Sequence, residues 1–145
     1  MFGSKSPTLV GFFDSILVCI LKFIKINKMI DLLKIWTEKI KLNNATQVAE
    51  LYHKEGLLLG TFSNIERIGK ELIMDYFEDL FKSKVNVKIV TKHEYVAESI
   101  STVSGLYDFK VNDKKIKARF SFVFVKNQGE WKILSHHSSV LPGQN

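Results

Sequence analysis

The chain has 145 residues, of which 46% are hydrophobic and 12% aromatic, and a formal net charge of +6. That length suits one domain with its own core and is too short for two ordinary ones, and the hydrophobic content excludes a disordered chain. The single Cys19 excludes an intrachain disulfide, and no cysteine spacing suits a structural zinc.

The charge is unevenly placed. Residues 1–28 carry Lys5, Lys22, Lys25 and Lys28 against Asp14, a net of +3, and the other 117 residues share the remaining +3. A nucleic-acid binder concentrates Lys and Arg on the folded face that meets phosphate. The body of this chain does not, so no nucleic-acid partner is expected. Residues 9–26 read LVGFFDSILVCILKFIKI. Asp14 and Lys22 interrupt them, and the clean run 15–21 falls well short of the roughly 20 residues of a membrane span. No small-residue cleavage site follows Cys19, as an export signal would need. Three readings stay open: an amphipathic helix on a membrane or partner, a helix covering the domain's own surface, or a degenerate export signal. A cytoplasmic or membrane-peripheral location is favoured over export.

Residues 29–40 have helical period, with Met29, Leu33, Trp36 and Ile40 on one stripe. Asn44 with Gln47 three residues on predicts a capping box and a helix running through Val48, Leu51 and Tyr52, ended by Gly56. Leu57, Leu58 and Leu59 read as a short buried strand, and residues 61–67 as a polar connection. A second periodic segment, residues 70–82, turns Ile73, Phe77, Leu80 and Phe81 inward. Everything after Ser83 reads as strands: Val85, Val87 and Ile89 alternate with polar residues, and residues 94–99 and 102–111 follow. Turns at 111–114 and 126–130 set off two more strands, residues 117–125 and 131–139. Helices first and strands after predict an α+β domain, an antiparallel sheet with helices on one face. Neither a Gly-rich phosphate loop nor a repeat occurs.

Two stretches place polar side chains where a purely structural sheet wants apolar ones. By strict alternation Ile133, Ser135, His137 and Ser139 share one face, and Leu134, His136, Ser138 and Val140 the other. Both histidines cannot enter one pocket unless the strand is bulged. Arg119 stands in an apolar strand, and a half-buried guanidinium needs a carboxylate or an anionic ligand. Glu98 and Asp108 are the carboxylates expected nearby. His53, His93, His136 and His137 have no ligand spacing, so neither metal nor cofactor is expected.

Several stretches resemble a known family: Val48-Ala49-Glu50-Leu51-Tyr52, Arg67-Ile68-Gly69, and Ser104-Gly105-Leu106-Tyr107-Asp108-Phe109. Ala118-Arg119-Phe120-Ser121-Phe122-Val123-Phe124 and the closing Trp131…His136-His137-Ser138-Ser139…Pro142 continue it. Together they are similar to the association-domain family of calcium/calmodulin-dependent protein kinase II in its stand-alone bacterial form. That family lies within the nuclear transport factor 2-like, or SnoaL-like, superfamily. The resemblance covers residues 29–142 and leaves 1–28 as an extension outside the domain. It implies a cone-shaped fold in which a curved antiparallel sheet wraps around the N-terminal helices and leaves an internal pocket. It also implies a homo-oligomer, most simply a dimer. The family pattern has histidine at the place of His137, which makes His137 the first candidate for the pocket. Tyr107 is a second catalytic candidate, and Arg67, Arg119 and Ser135 complete the ligand-binding set.

The function expected is a small oligomeric pocket domain for self-association or for binding a small anionic or apolar ligand. The alternative is an isomerase- or cyclase-like enzyme acting on a small, mostly apolar molecule. No carboxylate is placed inside by the apolar periodicity: Asp75 and Asp79 fall on the exposed side of their helix. The pairing that isomerase relatives use is therefore not evident.

Overall fold

The computed structural model describes residues 9–143, and over residues 23–31 the course of the backbone alone. It divides into two compact units, Met1–Leu33 and Lys34–Asn145. The elements in chain order are helix α1 (Leu9–Lys41), helix α2 (Ala45–Ala49), strands β1 (Tyr52–Leu59) and β2 (Arg67–Ile68), and helix α3 (Lys70–Leu80). Four long strands follow: β3 (Val85–Val96), β4 (Ile100–Val111), β5 (Lys114–Asn127) and β6 (Glu130–Val140).

Within the second unit, the end of α1 buries Trp36, Thr37 and Ile40, one helical turn of a single face. Asn43 stops the helix by taking a left-handed conformation, φ 50°. Its side chain then accepts from the backbone N–H of Val85 at 3.1 Å, tying the helix end to the start of β3. Asn44 caps α2 as its spacing predicts, its side chain accepting from Gln47 N at 3.0 Å. The helix ends at Ala49, however, and Tyr52 opens β1 rather than closing a helix. Val103, Tyr107, Phe109, Ala118, Phe120, Phe122 and Phe124 of β4 and β5 are buried, and the residues that alternate with them are exposed or half-buried. That is the period of a sheet with one face on the core.

The sequence pattern does not predict β2, and residues 94–99 do not form a separate strand. Val85–Val96 is continuous, with a bulge between Ile89 and Thr91. At that bulge Gly105 of β4 faces the β3 backbone so closely that a Cβ would lie 2.8 Å from the carbonyl carbon of Thr91. Only glycine fits there.

The expectation of a cone-shaped, strongly curved antiparallel sheet wrapped around the helices is corrected. The six strands form an open sheet in the order β2-β1-β6-β5-β4-β3. Among the described residues the outermost strands β2 and β3 do not pair with each other, so the sheet does not close. It is also mixed: β1 runs parallel to β6, whereas the other neighbours are antiparallel. The reason lies in the connection, because the return from β1 to β6 passes through β2, α3 and three further strands. A crossover of that kind permits parallel pairing where a hairpin cannot.

Candidate functional site

The register of β6 against β5 decides which histidine enters the core. Ile133 pairs with Phe124 but Ser135 pairs with Val123, so Leu134 is an extra residue on β6. One inserted residue sends every later side chain to the opposite face. Ile133, His136 and Ser138 are consequently buried together, and His137 is exposed. This corrects the strict alternation that had turned His137 inward and His136 outward.

His136 is 2% exposed and stands in a continuous chain of polar groups. An indole N–H can only donate, so Trp36 Nε1 gives its proton to Tyr52 Oη at 3.3 Å. The Tyr52 hydroxyl and His136 Nδ1 are hydrogen-bonded to each other at 2.8 Å. The other ring nitrogen, Nε2, lies 3.3 Å from Tyr107 Oη, so each nitrogen of the imidazole has a phenol partner, one donating and one accepting according to the tautomer. Tyr107 is hydrogen-bonded to Ser138. The Ser138 hydroxyl meets that of Thr61. The chain thus runs from the sheet's helix-covered interior out to the residues after β1.

The rings around this chain hold His136 in place. Phe122 stacks on the imidazole at 3.9 Å with an interplanar angle of 14°, and Trp36 meets it edge-on at 5.1 Å. A charged imidazole would have lost its water and gained no counter-charge. Burial, and next the neighbouring His137, therefore pull the pKa of His136 down to about 3. Burial likewise pushes the Tyr52 and Tyr107 phenols well above their ordinary range. All three groups are neutral through the physiological range, and the two ring nitrogens are both in use. Such a chain orders a core; it is not poised to exchange protons near neutrality.

Two surface depressions flank this region. One, of about 350 Å³, is lined by Gly60, Thr61, Ser63, Glu66, His137, Ser138 and their neighbours, so the polar chain ends in its wall. The other, of about 280 Å³, is lined by Phe62, Arg67, Tyr76, Asp79, Leu80, Ser83 and Val111. Arg67, on the short edge strand β2, has its Nε buried without a hydrogen-bond partner among the described residues. A buried donor left unpaired costs about 1–3 kcal/mol, which makes this nitrogen the least satisfied polar atom of the site. Tyr76 beside it hydrogen-bonds the backbone of Phe62, and burial, against the pull of Arg67, pushes its phenol up to about 12. Gly60 makes the Tyr76 position possible: a Cβ there would lie 2.5 Å from the Tyr76 ring. Asp79, the acidic member of the lining, is paired with Lys82 at 2.7 Å, which holds its carboxyl below the usual range.

The five residues singled out from the sequence do not converge. Tyr107 alone is in the interior, at 0% exposure. Arg67 lines the smaller depression and His137 the larger. Ser135 and Arg119 belong to the outer face of the sheet. Arg119 is exposed, and its Nε donates to Ser139 Oγ at 2.9 Å rather than to a buried carboxylate. Of the carboxylates expected to hold it, Asp108 is paired with Lys115 at 2.8 Å and Glu98 is exposed in the β3–β4 turn. The residues missed are Trp36, Tyr52, Thr61, His136 and Ser138. A buried Tyr or Trp needs a partner for its polar end, and that requirement was the available signal for His136.

The model of the SnoaL-like domain family matches residues 30–142. A Xanthomonas campestris protein proposed as a calcium/calmodulin dependent protein kinase II association domain is 31% identical. Its structure superimposes with a TM-score of 0.77, covering 80% of this chain and 87% of that one. Two more distant structures share the fold alone. A proposed ketosteroid isomerase from Parabacteroides distasonis has 20% identity and TM-score 0.68, covering 81% of this chain and 88% of its own. A proposed dehydratase of the NTF2-like family from Streptomyces avermitilis has 10% identity and TM-score 0.74, covering 83% and 98%. No curated protein matches the chain. The family model spans most of the sequence, and the Xanthomonas relative is 31% identical over 80% of it; the chain belongs to the SnoaL-like domain family.

Proposed function

We propose that the protein is a small-ligand-binding domain that works as a homo-oligomer, most simply a two-fold dimer through the outer face of its sheet. The observation that carries this reading is the 31% identity, over 80% of the chain, to the Xanthomonas campestris protein proposed as an association domain. In this reading Arg119 and Ser135 belong to the association face. Exposed Ile100 and half-buried Val123 on the same face add apolar area to it. The ligand is a small carboxylate or similar anion with an apolar body. Arg67 Nε supplies the unpaired donor, and Phe62, Leu80 and Val111 supply apolar wall. His137 is a contact of the larger depression, and Tyr107 supports that wall through Ser138 and Thr61. Residues 1–28 serve as an attachment segment for a membrane surface or a partner.

The isomerase- or cyclase-like alternative has less support. It requires a histidine, Tyr107 and an ionised carboxylate together against an apolar cavity. The imidazole beside Tyr107 is His136, which is held neutral, and its polar partners are phenols.

Light scattering tests the assembly: a mass twice the 16.7 kDa of the chain is expected, and a monomer at high concentration would refute it. Calorimetry with benzoate and short aliphatic carboxylates tests the ligand. Binding that Arg67→Gln removes without changing the oligomer supports the site; binding unchanged in that variant would sink it.

A further inference from the structure

The described part of the first unit is a helix with more exposed apolar surface than a lone helix can bury. Between residues 9 and 21 nine large apolar side chains are exposed, among them Phe12 at 69%, Phe13 at 62% and Leu17 at 55%. At about 100° per residue, Gly11, Asp14, Ser15 and Lys22 fall in one seam about 100° wide. Val18 is the one large apolar residue within that seam. The rest of the circumference is apolar, and a helix of that pattern must be covered by something. The run rises about 20 Å, short of the ~30 Å hydrocarbon core of a bilayer. Among the described residues, no helix is long and apolar enough to cross a membrane. Lys22, Lys25 and Lys28 follow the run, and Asp14 is the only acid in residues 1–28.

We propose that this helix lies in the interface of a bilayer rich in anionic lipid, with its apolar arc at the acyl boundary and its lysines among the headgroups. The proposal rests on the reading of residues 1–28 as an attachment segment and names the surface they meet. Charge favours lipid over a second copy of the same helix. Two such segments side by side would each bring a net of +3 against the other, whereas an anionic surface is complementary to both. At about 20 Å the apolar run does not reach across the hydrocarbon core, and the lysines that follow it suit the anionic headgroup level.

Flotation of the full chain with vesicles tests this. Phosphatidylcholine vesicles are compared with vesicles carrying about 30% phosphatidylserine, at low salt and near 0.5 M salt. The protein should float with the phosphatidylserine vesicles, and less so at high salt. The double variant Phe13→Gln with Leu17→Gln should weaken flotation by about tenfold or more. Both positions are exposed, so an unchanged thermal transition is the control for folding. Flotation that ignores phosphatidylserine and salt would overturn the anionic-lipid assignment. If nothing floats but the double variant lowers the mass seen by light scattering, the helix is covered by a second copy; attachment then stands and lipid falls. If neither flotation nor mass responds, both readings fall.

Discussion

Replacing His136 by Asn should remove one proton's worth of pH dependence from the stability of the domain. The native pKa of about 3 lies below the ordinary 6.5. Between those values the unfolded chain binds a proton that the folded one does not. The stabilisation is therefore complete above pH 6.5 and is lost as pH falls toward 3. Each unit of pH in that window is worth about 1.4 kcal/mol, so lowering the pH from 6.5 to 5 should cost the wild type about 2 kcal/mol. That is a large share of a net stability of about 5–15 kcal/mol. Asn at this position can pair with one of the two phenols but loses the second pairing and the ring stacked on Phe122. The variant should start about 2–3 kcal/mol less stable at pH 7.5. Its denaturation midpoint should then fall more gently than the wild type's, and the two curves should approach each other at acid pH. Urea melts at pH 7.5, 6.5, 5.5 and 5, roughly spanning the window above the carboxylates, provide the comparison. Parallel curves for the two proteins, or an NMR titration of His136 centred near 6.5, would refute the buried neutral imidazole.

Three further outcomes follow from the packing. Deleting residues 1–28 should leave a cooperative thermal transition, because the family match begins at residue 30; a broad, non-cooperative melt would show that those residues belong to the core. Gly105→Ala should lower stability by about 2 kcal/mol or more, since its Cβ would press on the backbone of Thr91 at the β3 bulge rather than on a movable side chain; an unchanged urea midpoint would contradict that register. Asn43→Ala should cost about 1–2 kcal/mol through its left-handed backbone and the lost acceptor for Val85 N–H. Asn43→Gly should recover the backbone share alone, and equal melts for the two variants would mean the strain is absent.

What the sequence alone determined about this protein was local or cumulative. The apolar period of residues 70–80 is a property of one helix, and Ile73 and Phe77 are buried where it put them. Asn44 caps α2 because its side chain reaches a backbone N–H three residues on. Phe120, Phe122 and Phe124 share the buried face because alternation within an unbroken strand needs no partner to define it. The run from Trp131 to Pro142, joined to the earlier matching stretches, carried enough specific residues to place the family. Tertiary structure alone decided the rest. Whether His136 or His137 enters the core depends on Leu134 being an unpaired residue, and a bulge exists only in the register between two strands. Tyr52 joins β1 rather than α2 because its side chain is buried among Trp36, Phe77 and His136, contacts made across long sequence separations. The open, mixed sheet likewise follows from β1 lying beside β6, a pairing between segments more than seventy residues apart that no local pattern encodes. Periodicity reports a side chain's face only within an element whose pairing is regular. Where one residue slips, the interactions between elements choose the face.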